Sequence, residues 1–173
     1  MTDSPIRLAI ITLSDRAAAG VRADESGALI RQMAATLNPQ IISQQILPDD
    51  LDQLQFTLQN LADHEHADVI LTTGGTGLAT RDITPEATLA VIQRRVPGIE
   101  EAMRATGLAK TPHAMLSRAV AGVRGHTLII NLPGSPKGVR ENLEVLLPVL
   151  PHAVRLLRTD QIADTEHRFD AAA

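Results

Sequence analysis

Apolar residues recur along this chain at two spacings, and the alternation between them sets the order of elements. Arg7–Ser14 is a short, nearly continuous apolar run, as expected of a strand buried on both faces, and Ile41–Leu47 and Ala67–Thr73 read as the second and third strands. Between them the apolar positions fall three or four apart. Leu29, Ile30, Met33 and Leu37 follow Asp24, a good N-cap, and Pro39 closes that helix; Leu51, Leu54, Leu58 and Leu61 follow Pro48-Asp49-Asp50. This β-α-β-α order predicts an α/β fold with a parallel sheet. Further on, Thr84-Pro85-Glu86 reads as an N-cap followed by proline at the first helical position, predicting a helix to about Arg94, and Pro97-Gly98 opens another to about Ala109. Ala119–Val123 and Thr127–Asn131 flank Arg124-Gly125-His126 as the arms of a hairpin, which adds an antiparallel strand. Val139, Leu143, Leu146, Leu150, Val154 and Leu157 mark the last helix, bent or divided by Pro148 and Pro151.

With 173 residues and no internal repeat or linker, the chain reads as one domain over 1–158. From about Thr159 the pattern fades and ends in Ala-Ala-Ala, so 159–173 are expected to form a loosely held tail. A net charge of -4, two Phe and no Trp or Tyr argue against a nucleic-acid surface, which needs a basic stripe or stacking platforms. The absence of cysteine excludes disulfides, a thiolate nucleophile and cysteine-based metal sites, and fits a cytoplasmic protein. The apolar run Leu8–Leu13 reads as a first strand and not a signal peptide, and no stretch approaches the roughly 20 apolar residues that cross a bilayer.

Chemistry concentrates at two glycine-rich turns, VILTTGGTG at Val69–Gly77 and LIINLPGSPKG at Leu128–Gly138. Each ends a predicted strand and precedes a predicted helix, which places both at the carboxyl edge of the sheet, where α/β proteins bind ligands. Glycine lets the backbone approach a ligand, and free N–H groups at a helix start favour a phosphate. Neither turn has the G-x-x-x-x-G-K-[ST] or G-x-G-x-x-G spacing, which argues against a P-loop ATPase or a dinucleotide oxidoreductase.

After Gly74, Gly75, Thr76 and Gly77 come Arg81 and Asp82, a cation and a carboxylate at the mouth of the same turn. Asp82 reads either as a ligand-site group or as a surface charge near a helix N-terminus. Asp49 is equally open, because Asp49 or Asp50 could simply cap the second helix. Both aspartates nevertheless lie on the side where the strands end, and two carboxylates there could hold Mg²⁺ against a triphosphate. In the second turn, Pro133-Gly134-Ser135-Pro136 forces a bend, and Lys137 and Arg140 oppose the dipole of the helix they begin, as an anionic ligand or a solvated face would each permit. Ser14-Asp15-Arg16 ends the first strand similarly, or merely leads to the first helix. His64 and His66 point to different faces and read as surface residues. No serine has the G-x-S-x-G context of a serine hydrolase.

The segments LSDRAAAGVRADESG, TTGGTGLATRDITPEAT, SRAVAGV and NLPGSPKG resemble the molybdenum-cofactor biosynthesis family over roughly Arg7 to Leu157. The resemblance implies a three-layer α/β/α fold, commonly a homotrimer, that binds molybdopterin and transfers AMP from Mg·ATP to its terminal phosphate, releasing pyrophosphate. It further implies hand-over of the product to a molybdenum-insertion protein. By position, the family's two required aspartates fall on Asp49 and Asp82; for such a reaction Mg²⁺ would be held through Asp82, with Asp49 as a candidate second ligand. Gly74, Gly75, Thr76 and Gly77 would line the nucleotide and phosphate site, with Arg81, Ser14, Asp15, Arg16 and the Pro133–Lys137 loop nearby; Asp24, Ser26 and Gly27 match a further motif. The alternative is a non-catalytic paralogue of the same fold that holds or carries molybdopterin.

Overall fold

The computed structural model describes residues 4–159. Strands β1 (Arg7–Leu13), β2 (Gln40–Leu47), β3 (Val69–Thr73), β4 (Arg94–Arg95), β5 (Ala121–Arg124) and β6 (Thr127–Leu132) form one sheet in the order β2-β1-β3-β6-β5-β4. The first four in that order are parallel, and at one end β5 pairs antiparallel with β6 and β4 antiparallel with β5. Successive residues of a strand face opposite sides, and here both sides are covered. Leu8, Ile10, Val69, Leu71, Leu128 and Ile130 pack on one face with α2 (Glu25–Ala34), α5 (Pro97–Leu108), α6 (Pro136–Leu146) and the final helix, whose described part is 150–159. Ala9, Ile11, Ile70 and Ile129 pack on the other with α3 (Leu51–Asp63) and α4 (Thr84–Val91). Double-sided burial is why β1, β3 and β6 read as nearly unbroken apolar runs, whereas the edge strand β2, mostly exposed or half-buried, is interrupted by Ser43, Gln44 and Gln45. The three-layer α/β/α arrangement with a mostly parallel sheet is therefore the one expected.

Several local expectations need correction. Ile83, not Thr84, occupies the cap position of α4 and has no side-chain acceptor to cap it, while the Thr84 hydroxyl donates to the Gly74 carbonyl at 2.8 Å. The helix also stops at Val91, short of Arg94, and Arg94 and Arg95 pair with Val123 and Gly122 as the edge strand β4. Leu51, placed on the apolar face of α3, is 38 % exposed because it sits in the first turn, outside the buried set Leu54, Leu58 and Leu61. A four-residue helix α1 (Asp15–Ala18), capped by Ser14, and a 3₁₀ turn at Pro112–Leu116 were not signalled by apolar spacing. As expected, the chain turns at 147–149, between Leu146 and the final helix. Of the tail expected over 159–173, all but Thr159 lies outside the described residues.

Strand order places the site. The β1-to-β2 crossover carries α2 over one face, while the β2-to-β3 crossover carries α3 over the other, and β3 then pairs on the opposite side of β1. The carboxyl ends of β1 and β3 are thus a topological switch point, where the loops diverge and leave a crevice.

Candidate active site

The crevice at this switch point is a cavity of about 210 Å³ lined by Ser14, Arg22, Asp24, Ser26, Asp49, Gly74, Gly75, Arg81, Asp82 and Gly134, with Thr12 and Thr73 from the strand ends. The floor is fixed by hydrogen bonds between loops. Thr73 Oγ1 donates to the Pro133 carbonyl at 2.7 Å, Ser26 Oγ to the Gly134 carbonyl at 2.9 Å, and Thr84 N–H to the Gly75 carbonyl at 3.1 Å. Gly74 and Gly75 have φ of 96° and 64°, in the region that disfavours side chains. A Cβ on Gly74 would lie 2.3 Å from the Leu13 carbonyl oxygen, and the two glycine turns meet where a Cβ on Gly134 would lie 3.2 Å from Gly74 Cα. The turns expected from sequence are therefore one unit.

Asp49 and Asp50, interchangeable as caps in the sequence, have separate roles. Asp50 caps α3 by accepting the Gln53 N–H at 2.8 Å. Asp49 is left to face the cavity, held by an exchange in which its N–H donates to Asp15 Oδ1 at 2.9 Å and its Oδ2 accepts the Asp15 N–H at 3.4 Å. Burial pushes the Asp49 carboxyl above the usual carboxylate range; the negative charges of Asp15 and Asp82 act in the same sense, against the Asp15 N–H and Arg81. Asp82 lies across the turn from it, with Oδ2 accepting the Ala79 N–H at 2.9 Å. A Cβ on Gly75 would come within 3.6 Å of Asp49 Oδ1, and one on Gly77 within 2.8 Å of Asp82 Oδ2. Both carboxylates thus lie against the bare backbone of a single glycine turn.

Asp24 performs two tasks: Oδ1 accepts the Gly27 N–H and Oδ2 accepts the Thr12 hydroxyl, each at 2.8 Å. Gly27 lines neither cavity described here, yet a Cβ there would lie 2.1 Å from Asp24 Oδ2, so glycine keeps the carboxylate in place. Arg16 and Arg140 line neither cavity; Arg22, unremarked in the sequence, lines the acidic one in place of Arg16. The reason is local, since α1 makes one turn and the chain bends back through Gly20 before Arg22.

Beyond the first glycine turn lies a second cavity, of about 320 Å³, with an apolar wall including Met103, Ala114 and Leu116. Thr76, Gly77, Pro133, Ser135 and Lys137 line it, together with Arg104 and Ser117. Lys137 is exposed at the start of α6, and Ser135 caps that helix by accepting the Gly138 N–H at 3.1 Å. Apart from Asp15, Arg16 and Gly27, which line neither, the sequence candidates therefore divide between an acidic crevice and an apolar one, with the Gly74–Gly77 turn as the wall between them. Such a pair suits a phosphate-bearing ligand whose flat organic part needs an apolar wall.

Among the described residues no group of three or more His, Asp or Glu side chains is placed to hold a metal ion by itself. Magnesium is commonly held by one or two carboxylates together with substrate phosphates, so the donor set of Asp49 and Asp82 fits that mode. No helix among the described residues is long and apolar enough to cross a membrane.

Comparison with known proteins agrees with this geometry. The family profile described as "Probable molybdopterin binding domain" matches residues 9–152. A molybdopterin adenylyltransferase from Helicobacter pylori (strain J99) is 42% identical over 168 residues, covering 96% of this chain and 96% of that protein. The Escherichia coli K12 molybdopterin adenylyltransferase is 41% identical over 141 residues, 80% of this chain and 72% of the longer relative. Among solved structures, the molybdopterin biosynthesis enzyme MoaB of Thermus thermophilus is 52% identical, superimposes with a TM-score of 0.83, and is matched over 88% of this chain and 96% of that one. With its sheet order, its paired glycine turns and near full-length similarity in agreement, the chain belongs to the molybdopterin-binding domain family of molybdenum-cofactor biosynthesis.

Proposed function

We propose that this protein is a molybdopterin adenylyltransferase: it transfers AMP from Mg·ATP to the terminal phosphate of molybdopterin and releases pyrophosphate. The observation that carries the reading is the convergence of Asp49 and Asp82 on one glycine turn at the switch point, next to a second, apolar cavity. Relatives of that name match over nearly the whole chain. In the reaction an oxygen of the molybdopterin phosphate attacks the α-phosphorus of ATP as the bond to the β-phosphate oxygen breaks. Both reactants are anions, so the protein must position them and offset their repulsion; no covalent protein nucleophile is required.

The roles of the residues follow from place. Asp49 and Asp82 would hold Mg²⁺, which when bound neutralises charge on the ATP oxygens. Arg22 and Arg81 add positive charge to the acidic crevice. Lys137, at the mouth of the apolar cavity, suits the pterin phosphate better than Arg140, which lines neither cavity. Ser14, Asp15, Asp24, Ser26 and Gly27 fix the walls around Asp49 and the second glycine turn. The requirement for ATP suits a cytoplasmic reaction, and the family resemblance supports a homotrimer that passes its product to a molybdenum-insertion protein.

The test uses purified protein, molybdopterin and ATP labelled at the α-phosphate. Label should enter the pterin product with an equal yield of pyrophosphate. Label appearing only as free AMP would refute transfer, and tight molybdopterin binding without either product would favour the carrier alternative.

A further inference from the structure

Asp82 sits on a loop between β3 and α4, and one side chain from a distant part of the chain bonds that loop at both ends. Arg118 comes from the segment between the 3₁₀ turn and β5. Its N–H donates to the Thr76 carbonyl at 3.0 Å. Its guanidinium then spans the loop: Nε donates to the Gly77 carbonyl at 2.6 Å, Nη2 to the Asp82 carbonyl at 2.5 Å, and Nη1 bonds the Glu86 carboxylate in the first turn of α4. One planar fork thus joins the start of the loop, its end and the following helix. Within the closed ring, Asp82 N–H donates to the Ala79 carbonyl at 2.9 Å and Asp82 Oδ2 accepts the Ala79 N–H at 2.9 Å.

We propose that Arg118 is a positioning residue for adenylyl transfer, a clamp that closes the Gly77–Asp82 loop and thereby aims the Asp82 carboxylate into the acidic crevice. The inference rests on the proposed reaction for its kinetic consequence, but the clamp itself is a property of the loop. Arginine is required because three acceptors lie around it, and a lysine ammonium, though equally charged, is a point donor on a flexible stem that does not reproduce the fork. Arg118 lines neither cavity, so it acts through Asp82 and not on a substrate.

The test is Arg118→Lys, alone and combined with Asp82→Asn, read in two ways. First, backbone hydrogen exchange at Ala79 and Asp82 should quicken about tenfold or more in R118K, with the central strands unchanged. Second, kcat should fall roughly a hundredfold, the scale of a displacement of about 1 Å at a reacting group, while KM for molybdopterin holds. In the D82N background R118K should lower kcat no further, since the clamp has nothing left to aim. Unchanged exchange in the loop would overturn the clamp whether or not the wild-type protein transfers AMP. An equal R118K loss in both backgrounds would overturn its action through Asp82. Faster exchange in R118K with an inactive wild type would keep the clamp and reject the reaction.

Discussion

The Thr84 hydroxyl offers a sharp test of how the first glycine turn is held. Thr84 is wholly buried, and its Oγ1 donates to the Gly74 carbonyl at 2.8 Å, tying the turn to the first residue of α4. Thr84→Val keeps the branched shape and removes this donor, leaving a buried carbonyl without it, at a cost of about 2 kcal/mol. In a protein of this size that lowers Tm by about 4–8 °C. Thr84→Asp separates this role from the helix cap that the Thr-Pro-Glu pattern suggests. A true cap accepts aspartate readily, whereas here the carboxylate would be buried facing a carbonyl oxygen, costing about 3 kcal/mol or more. Thermal and urea unfolding at one fixed protein concentration measure both variants. T84D as stable as wild type to within about 0.5 kcal/mol would refute the structural reading and restore the cap.

Three further outcomes follow from named groups. The Asp49 carboxyl is raised by burial, so the folded state binds its proton more tightly than the unfolded chain, and stability falls as pH rises from the ordinary carboxylate range through the raised value. Asp49→Asn should abolish AMP transfer yet leave the protein at least as stable at neutral pH, checked by unfolding curves from pH ~4 to pH ~8. The Asp63 carboxyl is held below its ordinary range by hydrogen bonds from Arg124 at 2.9 and 2.6 Å, so its contribution is complete above that range and is lost as pH falls through the lowered value. Asp63→Asn should therefore destabilise at pH ~6 and make no difference in strong acid; a penalty independent of pH would contradict this assignment. Light scattering at micromolar concentration should give three times the chain mass of 18.5 kDa, and a monomer would end the trimer proposal.

The sheet was legible because burial on both faces leaves runs such as Leu8–Leu13 with almost no polar interruption. Element order along the chain put both glycine turns at the carboxyl edge of the sheet, but the switch point between β1 and β3 needed the strand order, which chain order does not give. What stayed hidden depends on contacts distant in sequence. Asp49 and Asp50 are equivalent as a local pattern; they part only because Asp15, 34 residues earlier than Asp49, exchanges bonds with it. The Thr84 hydroxyl donates to a carbonyl ten residues back and does not cap the helix. Strand β4 is two arginines, without apolar alternation, because charge suits an exposed sheet edge. Arg118 belonged to a quoted motif, but its task needs the position of Glu86, 32 residues earlier, which no local spacing gives. Arg22 replaced Arg16 through the bend at Gly20, a backbone feature invisible to hydrophobic patterning.

The measurement that bears most directly on the site is single-turnover AMP transfer by wild type and Asp82→Asn, at matched protein, molybdopterin and Mg·ATP, with folding of both verified by melting. Loss of Asp82's charge against an intact glycine turn should slow the transfer step by at least about a hundredfold, equivalent to about 2.7 kcal/mol of barrier, with the fold unchanged. Turnover of D82N near the wild-type rate would remove Asp82 from the reaction, and with it the claim that the acidic crevice at the switch point is where the phosphates meet.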